Sequence, residues 1–354
     1  MDFPPPQSPA QQGQGRSLPA NPNVAIVGAT GAVGVELLAT LAARGFPAAS
    51  LRLLASERSA GQRMPFAGRE LTVEALRPDS FAGIDLALFS AGATVSRRFA
   101  PHAVAAGAIV VDNSSAFRMA PDVPLVVPEV NAGAIADHTG IVANPNCVAI
   151  IMTVALAPLH RAQPILRIQA ATYQAASGAG AAAMAELRDA TEAALEGRAY
   201  EPRVMRHPYA FNLFSHDAAV DTETLHNGEE LKVMAETRRI LAAQMPIGVT
   251  CIRVPVLRAH AIALCVAFAE PMPPERARAL LGAAEGVRVV DDAAANHFPM
   301  PNEAQGQGLV LAGRIRQDFS DPSGRTVSLF VAGDQLLKGA ALNAVQIAER
   351  LLGN

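Results

Sequence analysis

The sequence predicts an α/β protein in which a Rossmann-type domain with a parallel sheet is followed by an α+β domain with a mostly antiparallel sheet. Up to Cys147, short apolar strands alternate with helical stretches, which is the pattern of βαβ units. A glycine-rich turn joins the first strand to the first helix. Beyond Cys147 the strands become longer and cluster, and the helices stand apart. We therefore expect one domain over residues 22–147, a second over residues 148–337, and a last helix, 338–354, that packs back on the first domain.

The composition is that of a globular protein without a nucleic-acid or membrane partner. The chain has 354 residues, 50% hydrophobic and 17% charged, which is enough for two sizeable cores. A net charge of −3 leaves no basic surface for nucleic acid. No apolar run reaches membrane-spanning length, since Val148–Leu156 is soon interrupted by Pro158.

The N-terminal segment and the cysteines indicate the cellular location to expect. Residues 1–21 are rich in Pro, Gln and Gly and lack the basic and apolar regions of a signal peptide, so we expect a disordered tail. Cys147, Cys251 and Cys265 are an odd number spread along the chain and predict no disulfide framework. A reducing cytoplasm is therefore expected. Cys251 and Cys265 lie in apolar strands and are expected in the core.

In the first domain, a strand over Asn23–Val27 is followed by a helix over Val35–Arg44, which Gly45 ends. A second strand covers Ser50–Ala55. The other elements predicted before Cys147 are the strands Leu71–Val73, Leu86–Phe89 and Ala108–Val111 and the helix Val95–Ala106.

In the second domain, longer strands and separate helices are predicted, and a further helix ends the chain. The strands are Ile165–Thr172, Val249–Val256, Ala261–Ala269, Val287–Val290, Leu309–Gln317 and Thr326–Ala332. The helices are Gly180–Leu195, Glu229–Ala243, Pro274–Ala284 and Lys338–Leu352.

The turn after the first strand predicts a nucleotide site. Gly28, Gly31 and Gly34 lie between a strand and a helix, where missing side chains let the main chain approach a pyrophosphate at the helix N-terminus. The spacing G-x-x-G-x-x-G differs from the common G-x-G-x-x-G, and a tight turn with close helix–sheet packing is the alternative. The context of strand, turn and helix favours nucleotide binding.

The end of the second strand selects the cofactor. An acidic residue at this place usually binds the ribose hydroxyls of NAD, whereas an Arg accommodates the 2′-phosphate of NADP. Arg58 lies between Glu57 and Ser59. The sequence therefore favours NADP, and Glu57 is the feature that favours NAD.

The stretch Asn144-Pro145-Asn146-Cys147 places one thiol at the start of a helix. Asn is a common N-cap, and Pro is common near the first helical position. The N–H groups at a helix N-terminus lower the pKa of a thiol and favour the thiolate. Cys147 is therefore a candidate nucleophile, and a small buried core residue is the alternative.

Charged residues in the second domain are candidates for substrate contacts. Arg253 lies within the apolar strand Val249–Val256, and it forms either an internal salt bridge or a bidentate clamp on a substrate carboxylate. His260 opens the next strand, where a general base could lie. Glu229 and Lys232 are three residues apart on one helical face, which on an average helix is a solvated ion pair.

Together these motifs resemble the aspartate-β-semialdehyde dehydrogenase family, over a range from about Val24 to Glu349. The motifs before residue 144 are Gly28–Gly34, Ala55–Gly61, Asp112–Arg118 and Val127–Asn131. The later motifs are Asn144–Cys147, the loop at Gln174, Arg253–Val256, His260, Gly333–Gln335 and Lys338–Ala341.

The resemblance implies NADPH-dependent reductive dephosphorylation of L-aspartyl 4-phosphate to L-aspartate 4-semialdehyde, in lysine, threonine, methionine and diaminopimelate biosynthesis. It implies that Cys147 forms the acyl-enzyme, that His260 is the acid/base and that Gln174 assists. The second domain would then be catalytic and would mediate dimerisation. The expected partners are a small-molecule substrate, phosphate and further copies of the chain in a homodimer or homotetramer.

The same resemblance implies the contacts of the ligands. Gln174, Arg253, Glu229 and Asn146 would hold the amino-acid part of the substrate, and Arg118 and Lys232 would receive its phosphate. The residues implied to contact NADP(H) are Gly28, Thr30, Gly31, Ala32, Val33, Arg58, Ser59, Ser177, Gly178 and Gln335.

Two positions depart from the family pattern. Val148 stands where Ser or Thr is common, and an apolar residue, Ile262 or Ala263, stands where a Glu is often found. The alternatives are a related reductase of N-acetylglutamyl phosphate, a glyceraldehyde-3-phosphate-type enzyme, and a non-catalytic paralogue. No metal is expected, because the sequence has no His-Glu-x-x-His or paired C-x-x-C motif.

Overall fold

The computed structural model describes residues 15–352, and it divides into two compact units. The first unit contains residues 15–145 and 344–352, and the second contains residues 146–343. Cys147 therefore belongs to the second unit, although the domain boundary was predicted just after it. The chain returns to the first unit at Ala344, inside the last helix rather than at its start.

The first unit is built on one sheet. Its strands are β1 Asn23–Val27, β2 Ser50–Ala55, β3 Arg63–Phe66, β4 Arg69–Ala75, β5 Leu86–Phe89, β6 Ile109–Asp112 and β7 Ile141–Ala143. They form a seven-stranded sheet in the order β3-β4-β2-β1-β5-β6-β7. Every neighbouring pair is parallel except β3 with β4. The helices of this unit are α1 Ala32–Ala43, α2 Ala93–Ala105, α3 Pro128–Asn131 and, from residue 344 on, most of α9 Leu342–Leu351.

The two central strands of this sheet are almost fully buried, and the strand order reverses beside them. In β1 and β5, the residues Val24–Val27 and Leu86–Phe89 have no exposed surface, as expected of parallel strands covered on both faces. The order of the strands reverses at β1, whose neighbours are β2 and β5. Open parallel sheets bind ligands at such a point, beyond the carboxyl ends of the strands. The glycine-rich turn follows β1 directly.

The second unit is built on another sheet. Its strands are β8 Ile165–Gln174, β9 Phe214–Ser215, β10 Ile247–Arg253, β11 His260–Phe268, β12 Val287–Val289, β13 Val310–Gln317 and β14 Thr326–Gly333. They form a seven-stranded sheet in the order β12-β13-β14-β11-β8-β10-β9. The pairs β8/β10 and β12/β13 are parallel, and the other four are antiparallel. The predicted fold class is therefore confirmed.

The helices of the second unit are α4 Cys147–Ala162, α5 Ala181–Leu195, α6 Gly228–Ile240, α7 Pro274–Gly282 and α8 Pro301–Ala304. Helix α4 is almost wholly buried and continues through Pro158. A π-helical turn over Leu337–Ala341 leads into α9. The predicted final helix, Lys338–Leu352, therefore consists of two parts.

The predicted tail is too long. Residues 1–14 of it lie outside the described residues, but residues 15–21 are placed. Leu18 is 5% exposed, and its N–H donates a 2.6 Å hydrogen bond to the carbonyl of Leu351. The short strands β3, β7 and β9 were not predicted. Over residues 15–352, the helices are too short or too polar to cross a bilayer.

Candidate active site

The N-terminus of α4 is built by the Asn-Pro-Asn-Cys stretch. Asn146 is the N-cap, and its Oδ1 accepts hydrogen bonds from the N–H groups of Val148 at 2.9 Å and Ala149 at 3.3 Å. An N-cap of this kind contributes about 1 kcal/mol. The carbonyl of Asn146 accepts from Ile150 N–H at 2.9 Å and starts the helix. The sequence signals for a helix start are therefore confirmed.

Cys147 is the first residue of α4 and is partly exposed, unlike the apolar residues that follow it. It is a free cysteine, as are Cys251 and Cys265. Gly339 lies against it, because a Cβ added to Gly339 would come within 3.0 Å of the Cys147 Cβ. The alternative of a buried core cysteine fits Cys251, whose pKa burial raises to about 12. It does not fit Cys147.

Cys265 was expected in the core, and this expectation is wrong. Its thiol is partly exposed and donates a 2.7 Å hydrogen bond to Oδ2 of Asp318. Burial, followed by the contact with Asp318, raises the pKa of this thiol to about 11. Cys265 is therefore a poor nucleophile at neutral pH.

His260 is the first residue of β11 and is fully buried. Its Nδ1 accepts a 3.0 Å hydrogen bond from the main-chain N–H of Ala175. Because a main-chain N–H can only donate, the proton of the neutral imidazole lies on Nε2. Burial, and then the positive charge of Arg253 and His216, lower the pKa of His260 well below its usual value. Within the described residues, Nε2 is buried without a hydrogen-bond partner.

The helix that begins at Cys147 packs on the strand pair that carries His260. His260 pairs with Gly333 in the β11/β14 ladder. A Cβ added to Gly333 would come within 2.9 Å of the side chain of Ile151, which lies one helical turn after Cys147. The same face of α4 that carries Cys147 therefore lies over the end of the strand pair that carries His260.

Glu229 connects the start of α4 to the end of β8. Its Oε1 accepts hydrogen bonds from Nδ2 of Asn146 at 2.9 Å and from Nε2 of Gln174 at 3.1 Å. Asn146 precedes Cys147, and Gln174 precedes Ala175, which binds His260. Burial raises the pKa of the Glu229 carboxyl, but His216, the Asn146 amide and Lys232 outweigh burial and hold this pKa below its usual value. Glu229 is thus a buried carboxylate that joins the residue before Cys147 to the residue before Ala175.

Arg253 ends β10 beside Gln174, its register partner in β8. Its side chain is buried, and its Nε donates a 2.9 Å hydrogen bond to Oδ1 of Asp217. The internal salt bridge that sequence analysis considered is therefore present. A second donor, Nη1, lies 3.4 Å from the carbonyl of Ala175. A clamp on a substrate carboxylate remains a prediction, and Asp217 is the anchor that such a clamp needs.

Asp217 and His216 lie beside Arg253 and were not among the residues predicted for the site, although the polar segment that holds His216 was expected near the substrate site or a subunit interface. Burial raises the pKa of Asp217, but the charge and hydrogen bond of Arg253 reverse this effect and lower it. Nδ1 of the partly buried His216 accepts a 3.1 Å hydrogen bond from Ala218 N–H, and burial followed by Arg253 lowers its pKa. Both residues follow the two-residue strand β9, whose pairing with β10 places them. Only the polar character of this segment could have pointed to them.

A glycine makes room where the imidazole and the guanidinium meet. A Cβ added to Gly178 would lie 3.1 Å from Nε2 of His260 and 3.2 Å from Nη1 of Arg253. Gly178 therefore packs closely against both groups, and a side chain at this position would crowd them.

The two residues predicted to receive phosphate lie in different units. Arg118 belongs to the first unit, where its Nε donates to the carbonyl of Asn144 at 2.9 Å and its Nη2 to that of Asn113 at 2.7 Å. Lys232 belongs to the second unit, on α6, with 44% of its side chain exposed and its Nζ 4.0 Å from Oε2 of Glu229. These distances do not show whether Arg118 or Lys232 binds phosphate.

In the first unit, the glycine-rich turn is tightly built. Gly28 has a φ of +87°, and a Cβ on it would come within 2.9 Å of the main chain of Ser90. A Cβ on Gly34 would lie 2.2 Å from the carbonyl oxygen of Gly28. Internal packing therefore explains two of the three glycines. Gly31 is the N-cap of α1 and has no side-chain cap, so the N–H groups of Ala32 and Val33 begin a helix that can accept an anion.

The neighbouring residues of the predicted cofactor site follow β2. Arg58 is exposed, in a short 3-10 turn over Glu57–Ser59. Glu57 is paired with Arg77 at 3.4 Å. The hydroxyl of Thr30 donates a 3.3 Å hydrogen bond to that of the buried Ser59. Thr30 and Ser59 thus tie the glycine-rich turn to the segment that carries Arg58.

Three further residues predicted to contact the cofactor belong to the second unit. Ser177 is buried, and its hydroxyl accepts a hydrogen bond from the Gln335 side chain. Oε1 of Gln335 accepts a 2.9 Å hydrogen bond from Ala259 N–H, next to His260. Gly178 follows Ser177 and is exposed.

The two departures from the family pattern are apolar positions of differing burial. Val148 has no exposed surface, and its N–H is the one that Asn146 caps. Ile262 is also fully buried in β11, whereas Ala263, the other candidate for this departure, is partly exposed. Along the described part of the chain, no three His, Cys, Asp or Glu side chains are arranged to hold a metal ion.

Comparison with known proteins places both units in one enzyme family. Residues 23–138 match the family described as "Semialdehyde dehydrogenase, NAD binding domain", and residues 156–338 match "Semialdehyde dehydrogenase, dimerisation domain". Aspartate-semialdehyde dehydrogenase of a Synechocystis strain is 53% identical over 336 residues, which cover 95% of this chain and 98% of the relative. The Bacillus subtilis enzyme of the same name is 43% identical over 339 residues, covering 93% and 97%.

A solved structure shows the same fold. The crystal structure of aspartate semialdehyde dehydrogenase II from Vibrio cholerae, complexed with ASA, matches with a TM-score of 0.90 at 41% identity. The match covers 94% of this chain and 98% of that chain.

Proposed function

The chain belongs to the aspartate-semialdehyde dehydrogenase family, and we propose that it reduces L-aspartyl 4-phosphate to L-aspartate 4-semialdehyde with NADPH, or runs the reverse reaction, through a thioester on Cys147. The family resemblance is confirmed, and the protein is an NAD(P)-dependent oxidoreductase. The observation that carries the proposal is the position of Glu229. It accepts hydrogen bonds both from the residue before Cys147 and from Gln174, next to the residue that binds His260.

Cys147 is the proposed nucleophile. A thiolate is both a strong nucleophile and a good leaving group, so a thioester can form and later break. Its sulfur attacks the acyl carbon of the substrate, the bond from carbon to the phosphate oxygen breaks, and phosphate leaves with that electron pair. The position of Cys147 at the first residue of the buried helix α4 favours the thiolate.

His260 was expected to be the acid/base, and we propose instead that it donates a hydrogen bond to the oxygen that becomes charged. When NADPH is bound, its nicotinamide supplies the hydride that reduces the thioester. The carbonyl oxygen then carries a negative charge until the carbon–sulfur bond breaks and the thiolate leaves. This collapse needs no added proton, so a donor near the oxygen is sufficient. Nε2–H of His260 is such a donor, because Nδ1 is occupied by Ala175 N–H.

The amino-acid part of the substrate is proposed to bind near Glu229 and Arg253. A carboxylate suits the substrate's ammonium group, and the fork of Arg253, held by Asp217, suits its carboxylate. Gln174 and Asn146 donate to Glu229, and we propose that both shape this pocket. We propose that Arg118 and Lys232 receive the phosphate.

The first unit fits a dinucleotide. The turn at Gly28–Gly34 follows the central strand at the switch point, and the first turn of α1 has no side-chain cap. The proposed contacts there are Gly28, Thr30, Gly31, Ala32, Val33, Arg58 and Ser59, with Ser177, Gly178 and Gln335 from the second unit. NADP in preference to NAD is proposed from Arg58, which is exposed at the end of β2, whereas Glu57 is turned to Arg77.

The oligomer and the location are also proposals. A match to a dimerisation domain supports association between copies of the chain, and we propose a homodimer or homotetramer. We propose a cytoplasmic location, because a reducing compartment keeps the Cys147 thiol free. We also propose that the reaction needs no metal. A place in lysine, threonine, methionine and diaminopimelate synthesis follows from the product.

The test is phosphate-dependent reduction of NADP with L-aspartate 4-semialdehyde. We expect rapid reduction with this aldehyde and rates at least tenfold lower with N-acetylglutamate 5-semialdehyde or glyceraldehyde 3-phosphate. Faster turnover of either comparison substrate would assign the chain to that reductase instead. The absence of turnover with all three would favour a non-catalytic paralogue.

A further inference from the structure

We propose that Glu236 is a positioning residue that holds the turn carrying Cys147 in its reactive orientation, and this proposal rests on the function proposed above. Glu236 lies on α6 and is 1% exposed. Its Oε2 accepts a hydrogen bond from the main-chain N–H of Asn146 at 2.6 Å. A hydrogen bond of this length fixes the Asn146 peptide through the position of the acceptor oxygen.

Helix α6 holds Asn146 at two points. Glu229 and Glu236 are seven residues apart on α6, which is about two helical turns, so both lie on the same face. Glu229 accepts from the side-chain amide of Asn146 at 2.9 Å, and Glu236 accepts from its main chain. Neither the side chain nor the main chain of Asn146 can rotate without breaking one of these contacts.

The position of Asn146 determines that of Cys147. Oδ1 of Asn146 accepts from the N–H groups of Val148 and Ala149, so hydrogen bonds fix the main chain on both sides of Cys147. The bond from Asn146 N–H to Glu236 holds the main chain on the N-terminal side of Cys147. Because a displacement of about 1 Å at a reacting atom can cost about 100-fold in rate, loss of this bond affects the chemistry as well as the fold.

Two other buried carboxylates, Glu230 and Glu186, accept main-chain hydrogen bonds away from Cys147. Glu230, also on α6, accepts from Asn227 N–H and from Cys251 N–H, neither of which adjoins the nucleophile. Glu186 on α5 is 4% exposed and accepts from the N–H groups of Arg203, Val204 and Met205. Glu186 thus makes the same kind of contact as Glu236, but in a segment without a proposed catalytic residue. It provides a matched control.

The experiment compares Glu236→Asp, Glu236→Gln and Glu186→Asp in the full chain. Gln keeps an oxygen at the position of Oε2, whereas Asp keeps the charge but withdraws it by one methylene. Two quantities are measured: kcat and KM in the phosphate-dependent reaction, and the rate at which iodoacetamide alkylates Cys147, after subtraction of the rate for Cys147→Ser. We expect Glu236→Asp to lower kcat and the alkylation rate at least tenfold with KM within threefold. We expect Glu236→Gln and Glu186→Asp to remain within threefold of the wild type.

Other results overturn the proposal. If Glu236→Asp alkylates and turns over like Glu236→Gln, or if Glu186→Asp loses as much of either rate, Glu236 has only a structural role. If Glu236→Asp fails to fold, Glu236→Gln decides: near-normal rates support the acceptor role, and a tenfold loss despite the retained acceptor contradicts it. Alkylation does not depend on the substrate, so a reactive thiol in a wild-type protein without dehydrogenase activity would refute the proposed function and leave the role of Glu236 intact.

Discussion

The main-chain N–H of Ala175 donates a 3.0 Å hydrogen bond to Nδ1 of His260, and this contact fixes how the buried imidazole can act. Nδ1 is an acceptor, so the ring proton lies on Nε2, which has no partner among the described residues. Protonation of Nδ1 would break the hydrogen bond from Ala175 N–H, so an imidazolium cannot form while this bond is present. His260 is therefore suited to donate a hydrogen bond to a charged oxygen while it remains neutral.

Cys147→Ala is expected to abolish turnover and to leave binding of NADP unchanged. The thiol is the proposed nucleophile, and the residues proposed to bind the nucleotide do not include it. Steady-state kinetics and titration calorimetry with NADP measure the two properties. Turnover near the wild-type rate would refute the assignment of the nucleophile.

The pH dependence follows from the lowered pKa of His260. In the unfolded chain this His is protonated below about pH 6.5. In the folded protein it stays neutral to lower pH, so the free energy of unfolding decreases as the pH falls from about 6.5 toward the folded pKa. We expect the urea midpoint to decrease over this range, and to decrease less in His260→Gln. Equal slopes in the two proteins would show that His260 does not titrate as described.

Arg253→Lys is expected to lower kcat/KM for the semialdehyde at least tenfold, because Lys cannot form the planar fork. Asp217→Asn tests the anchor: its amide oxygen still accepts from Nε of Arg253, so a smaller loss is expected. Kinetics at saturating NADP measure both. An unchanged kcat/KM in Arg253→Lys would remove the clamp from the mechanism.

Gly178→Ala is expected to lower kcat at least tenfold. The new methyl group would lie within 3.2 Å of both the His260 imidazole and a nitrogen of Arg253, and both side chains are too buried to move easily. Gly133→Ala is the control, because a Cβ there meets no atom within 4 Å. Equal activity of the two variants would show that the close packing of Gly178 against His260 and Arg253 is not needed for the reaction.

Arg58→Ala is expected to shift the preference from NADP toward NAD. Arg58 is the cation proposed to bind the 2′-phosphate, and one charge-assisted contact of this kind contributes about 1.5–3 kcal/mol, or roughly 10–100-fold in relative kcat/KM. The ratio of kcat/KM for the two cofactors measures the effect. A constant ratio would mean that another group binds the phosphate.

The sequence predicted the elements whose signals are local. The strand Asn23–Val27, the glycines after it and the helix start at Asn146 depend on neighbouring residues, and the structure has them within a few positions. The roles of Asp217 and Glu236 could not be predicted in this way. Each contacts a residue far along the chain, Arg253 or Asn146, and only the folded sheet and helices bring these pairs together.

Two expectations, for Leu18 and Cys265, were wrong because local composition does not show which distant residues a side chain meets. Leu18 belonged to a segment without local structure signals, yet it is buried and bonded to Leu351. Cys265 lies in an apolar strand, but its face of the sheet is open enough for Asp318 to reach the thiol. Composition along a strand does not show which face is covered.

The most direct test of the central claim is intact-protein mass spectrometry of the enzyme mixed with L-aspartate 4-semialdehyde and NADP in the absence of phosphate. The account predicts a burst of NADPH close to one per active site, together with an aspartyl adduct that peptide mapping places on Cys147 and that added phosphate removes. Phosphate-dependent turnover without an adduct on Cys147, or an undiminished burst in Cys147→Ala, would contradict it.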